Sequence, residues 1–93
     1  MTPIVIATKG SRSINVLLES IWMYVPREVT TYVYGKWDSL DKQDWVHYLG
    51  ENDKTNFGDS FNHAITQAFL DGHETVIMAN DDVVLDPNTY WLL

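Results

Sequence analysis

The sequence predicts an α/β protein: an open, mainly parallel sheet in the order 3-2-1-4 with helices on both faces. Two observations predict it. Short β-branched and aromatic runs alternate with segments of helical period, and the runs end in polar or glycine residues where a chain leaves a sheet. Right-handed crossovers between such strands place the first one centrally.

The first strand is Pro3 to Ala7, an apolar β-branched run closed by the turn-forming Thr8-Lys9-Gly10-Ser11, and it reads as buried on both faces. Ile14, Leu17, Leu18 and Ile21 then recur at helical spacing; Ser11 or Ser13 serves as N-cap, and Pro26 marks a point the helix has not reached. Val29 to Tyr34 is a second strand ended by Gly35. Lys36 to Asp44 lacks a sustained period and reads as loop with at most a helical turn. Val46 to Leu49 is a weaker third strand, followed by the polar loop Gly50 to Asn56.

Phe61, Ala64, Ile65, Ala68 and Phe69 form one face of a second helix, with Gly72 placed as its C-terminal glycine. Thr75 to Ala79 reads as a fully buried strand, and Asn80-Asp81-Asp82 follows at its carboxyl end. Asp86-Pro87-Asn88-Thr89 has the pattern of an N-cap with proline at the first helical position, opening a short helix through Leu92.

At 93 residues, 45% apolar and 13% aromatic, residues 1–93 are expected to fold as a single domain with a modest core. A net charge of -7 disfavours nucleic acid as partner, since that contact relies on Lys and Arg displacing counterions, and it suits a divalent cation better. Solubility alone also accounts for most of the individual carboxylates. Without Cys there is no disulfide framework, thiol nucleophile or Cys-ligated zinc, so a cytoplasmic location is the expectation. No apolar segment approaches the roughly 20 residues of a membrane span.

Ligands of open α/β sheets bind beyond the carboxyl ends of the strands, where the winding reverses. Three polar loops leave those ends: Thr8 to Arg12, Gly35 to Asp38, and Asn80 to Asp82. The oxygen-bearing run Asn80-Asp81-Asp82 suits a hard cation such as Mg or Mn, which in turn binds phosphate; it fits a turn with an N-cap cluster equally in residue type. Lys9 and Arg12 add positive charge where a helix N-terminus meets an anion, though the spacing fits neither the dinucleotide fingerprint nor the P-loop. Asp38 lies where nucleotide folds carry an acid for ribose, and is otherwise a solvated loop acid. His47, His63 and His73 show no convergent metal spacing; His63 is expected on a helix surface and His73 near a helix C-terminus. The four Trp residues read as core or interface, Trp37 beside Asp38 being the one closest to the crevice in sequence.

In this order the segments resemble the N-terminal half of family-2-like glycosyltransferases of the GT-A fold. Pro3 to Arg12 is similar to that family's first strand and base-contacting loop, Asn56 to Ile65 to its N-x-G-x-x-x-x-x-N-x-x-I segment, and Val76 to Pro87 to its strand and DXD region. The resemblance implies a Rossmann-like sheet, half of a GT-A fold, and metal-dependent binding of a nucleotide sugar, a UDP-sugar, with glycosyl transfer of the hexosyltransferase type or slow donor hydrolysis. By position it implies that Ala7, Thr8, Lys9 and Arg12 serve the nucleotide, that Asp38 approaches uracil or ribose, and that Asp82 holds Mn or Mg bridging the diphosphate. Asp81 would sit beside the ribose or the metal.

The chain departs from the family twice. Asn80 stands where the motif's first Asp is usual, which lowers the charge but keeps an oxygen. The family also continues into strands that bind the acceptor and supply a catalytic base, and the resemblance stops before them, so homo-oligomerisation is expected to cover the exposed edge. A non-catalytic nucleotide-sugar-binding or assembly module derived from such an enzyme is the alternative. A phosphoacceptor receiver domain is disfavoured, because its acids would follow the first and third strands.

Overall fold

The computed structural model describes residues 2–9, 12–36, 43–50 and 57–80. Along the chain lie β1 (Ile4–Lys9), α1 (Ser13–Tyr24), β2 (Thr31–Lys36), β3 (Val46–Gly50), α2 (Phe57–Leu70) and β4 (Ile77–Asn80). The strands form one sheet in the order β3-β2-β1-β4, and every pairing is parallel. The expected order and the central place of the first strand are therefore observed. The short helix expected from Asp86 to Leu92 lies outside the described residues.

β1 is buried from Ile4 through Thr8, and successive side chains enter opposite cores. Ile4 and Ile6 join Ile14, Leu17, Leu18 and Ile21 of α1, with Val33 and Val46 from the neighbouring strands. Val5 and Ala7 join Tyr32 and the α2 residues Phe61, Ala64 and Ala68. The helices thus cover opposite faces of the sheet. Thr31 Oγ1 is buried on the α1 side with no hydrogen-bond partner among the described residues.

The start of α1 differs from expectation. Arg12, not a serine, occupies the cap position with helical backbone angles and no side-chain cap; Ser13 is already the first helical residue, and Ser11 lies outside the described residues. The end follows the proline: Val25 is extended, donates its N–H to Ile21 O at 2.9 Å, and precedes Pro26, which has no N–H to continue the ladder. β2 begins at Thr31 rather than Val29, because Val29 donates its N–H to Pro26 O at 3.1 Å in a turn that closes before the strand. Its side chain still enters the α1 core.

α2 ends as its glycine predicts. Gly72 has φ +98; its N–H reaches Phe69 O at 3.0 Å and the His73 N–H reaches Ala68 O at 3.1 Å, the paired bonds of a Schellman cap. Phe69 departs from the expected face and is 52% exposed. At about 100° per residue it lies well off the centre of the stripe set by Phe61, Ala64 and Ala68.

The last strand corrects a second expectation. It spans Ile77–Asn80 rather than Thr75 to Ala79, and it is not buried on both faces. Ile77 and Ala79 pack partly into the α1 core, while Met78 is 56% exposed and Asn80 is exposed. The reason is position: β4 lies at the end of the sheet, and α2 packs on β1 and β2.

Candidate functional site

The chain steps from β1 to β2 to β3 in one direction, and α2 then returns it to the other side of β1. The winding reverses between β1 and β4, so their carboxyl ends mark the topological switch point, beyond which sheets of this kind hold their ligands in a crevice. Register sets what meets there. Ala7 pairs with Asn80, and on the other side Thr8 pairs with Gly35 and Lys9 with Lys36. Ala7 and Thr8 are buried, forming a floor, whereas Asn80 is exposed on the same side of the sheet as Ala7.

Gly35 is what allows β1 and β2 to approach here. Its φ is +130, and a Cβ would lie 1.9 Å from Thr8 O. No other residue type fits without moving the backbone that floors the crevice. Beyond β1, Arg12 stands exposed at the start of α1, and its carbonyl accepts the Asn15 N–H at 3.1 Å. A guanidinium at a helix N-terminus favours an anion there.

Of the sequence-predicted site residues, the structure brings Ala7, Thr8 and Asn80 together by strand pairing and places Arg12 on the adjoining helix end. Lys9 is fixed through its backbone in β1. Asp38, Trp37, Asp81 and Asp82 lie outside the described residues. Among the described residues no group of three His, Cys, Asp or Glu side chains is placed to hold a metal ion.

Sequence reasoning missed an aromatic pair at the same end of the sheet. The Tyr34 and His63 rings stack at 4.7 Å with an interplanar angle of 8°. Tyr34 also lies against Gly50, where a Cβ would meet its ring at 2.5 Å. A register shift brings that contact about: Val33 pairs with Tyr48 but Tyr34 with Gly50, so Leu49 is the extra residue of a bulge. Alternation puts Tyr32 and Tyr34 on one face, a readable signal; the bulge and the partner histidine have no local signature. His63 is otherwise exposed on α2, as expected.

No family model, curated protein or solved structure matches the chain.

At the opposite end of the sheet, a polar cluster has a structural role. The Tyr32 hydroxyl donates to Asp71 Oδ2 at 2.6 Å, and Gln67 Nε2 donates to Asp71 Oδ1 at 3.0 Å, tying β2 to the end of α2. Burial, reinforced by the Asp71 bond and charge, raises the Tyr32 pKa well above its ordinary value. The Tyr32 and Gln67 hydrogen bonds hold Asp71 below the usual carboxylate value, with His47 and His73 adding to the effect. Both rings lie against Tyr32, at centroid distances of 5.3 and 6.2 Å. Tyr48 is likewise raised, by burial, against a lowering hydrogen bond from the Gln43 N–H at 2.9 Å.

Proposed function

We propose that the chain binds a nucleotide sugar, a UDP-sugar, in the crevice between β1 and β4, and serves glycosyl transfer from it. One observation carries the reading: the Ala7–Asn80 pairing sets the root of the Asn80-Asp81-Asp82 run beside the floor formed by Ala7 and Thr8 at the switch point. Asn80 offers an exposed oxygen at that edge, and the two acids that follow it in sequence are the hard donors that Mn or Mg takes. Asp82 and Asp81 are the proposed metal ligands. The metal would supply positive charge to the departing diphosphate. Ala7, Thr8, Lys9 and Arg12 are proposed to serve the nucleotide, with Asp38 approaching uracil or ribose.

A second reading is binding without transfer. Under either reading, we also propose association with further copies of the chain, which would cover the edge of the sheet at β4. A monomer in light scattering would remove that part.

The experiment is calorimetric titration of UDP with and without Mn. Binding that requires Mn and is lost in Asp82→Ala, with the circular dichroism spectrum unchanged, supports the site; equal affinity in the variant contradicts it. Turnover of a radiolabelled donor against a panel of acceptors separates transfer from binding alone.

A further inference from the structure

Across the carboxyl end of the sheet, strand pairing sets Gly50, Tyr34, Ala7 and Asn80 in one row. α2 runs opposite to the strands beneath it: His63 in its first half meets Tyr34, and Asp71 just beyond its end meets Tyr32. Its start therefore lies at the crevice end. There Phe61 and Ala64 share a core with Ala7 of the floor.

Tyr34 is the largest side chain of that row, and two contacts decide where its ring goes. Gly50 leaves room for it, since a Cβ there would lie 2.5 Å from Cε2 and 3.0 Å from Cζ. The φ of Gly50 is not positive, so the position uses the missing side chain and not the freedom of the backbone. The bulge at Leu49 is what sets a glycine, and not a leucine, opposite the ring. On α2, His63 stacks on the ring at 4.7 Å and 8°. Parallel rings in contact fix a spacing, because closer approach meets repulsion and separation forfeits dispersion.

We propose that Tyr34 is a positioning residue for the crevice: seated on Gly50 and stacked with His63, it sets the spacing between the start of α2 and the floor at Ala7. The proposal deepens the nucleotide-sugar reading and rests on it for the identity of the ligand, though not for the spacing. Tyr34 and His63 act through Phe61 and Ala64, whose placement over Ala7 forms the α2 side of the crevice. A side chain at position 50 presses the ring against His63 and moves that wall.

The test reads the spacing first without ligand and then with it. In the ligand-free protein, Gly50→Ala is expected to shift the amide resonances of Ala7 and of Gly58 through Phe61 more than those of Ala68 through Asp71, at the far end of the helix. Shifts confined to β3 and Tyr34 would overturn the proposal. His63 is exposed, so His63→Ala should keep the fold and an unfolding midpoint close to the parent's, and its ligand-free spectrum should show the same shift at Ala7. Its affinity for UDP in the presence of Mn should nevertheless fall about fivefold, and His63→Phe, which keeps a ring on Tyr34, should recover it. Unchanged affinity in His63→Ala, or a loss that His63→Phe does not recover, would count equally against the positioning role. A parent protein that binds no UDP would remove the nucleotide reading alone, and the ligand-free shifts would then decide the spacing.

Discussion

The two faces of the sheet are built differently. On the α1 face, large aliphatic side chains from α1 meet residues of all four strands, and Ile77 and Ala79 of β4 share in that core. On the α2 face the helix presents Phe61 with the small Ala64 and Ala68, packs on β1 and β2, and leaves Met78 exposed. The α1 face therefore carries most of the apolar burial, while the α2 face relies on a polar clasp between Tyr32 and Asp71. The difference teaches where rigidity is needed: the crevice is floored by β1 and β2, which both faces grip, and edged by β4, which only one face grips.

The largest effect is expected where the faces share a backbone. Gly35→Ala should destabilise by about 4 kcal/mol, from left-handed strain plus overlap with Thr8 O, enough to remove most of the stability of so small a domain; a urea titration reads it. Leu17→Ala, at a fully buried position of the α1 core, should cost about 3 kcal/mol in the same measurement.

Tyr32→Phe tests the clasp, and should cost about 1 kcal/mol at neutral pH. Its sign with pH follows from the shifts. The raised Tyr32 pKa means that its contribution is complete below the ordinary tyrosine value of 10.0 and is lost as pH rises toward the shifted one. The lowered Asp71 pKa means the opposite: its contribution is present above the ordinary carboxylate value of 3.8 and is lost as pH falls through the shifted one. Stability of the variant should accordingly fall less at both extremes than that of the parent. The smallest effect should be Met78→Ser, below about 0.5 kcal/mol, since that side chain is already in water. A loss as large as that of Leu17→Ala would show that the α2 side of β4 is covered, and would erase the contrast.

The strand order was legible because it depends on local patterns plus a general handedness: apolar runs, helical stripes, and right-handed returns that put Ile4 to Thr8 in the middle. The exposure of β4 was not legible, because Val-Ile-Met-Ala reads the same whether one face or two are covered. Met78 becomes exposed only through the position of α2. Tyr32 and Asp71 stand 39 residues apart, so no window of sequence contains their bond. The same holds for Tyr34 with His63 and Trp22 with Trp45, pairs made by packing rather than by spacing. At the crevice, Ala7, Thr8 and Asn80 were legible as strand exits, but Gly35 was read as a terminator when its role is to let two strands touch.

Paramagnetic broadening by Mn in the presence of UDP tests the central claim most directly, since it locates the ion without prior choice of residues. The account predicts selective loss of the amide resonances of Ala7, Thr8, Gly35 and Asn80, with the Trp22 and Trp45 indole signals retained at the far pole. Uniform broadening, or loss centred on the Trp22 and Trp45 end, would contradict a nucleotide and metal site between β1 and β4.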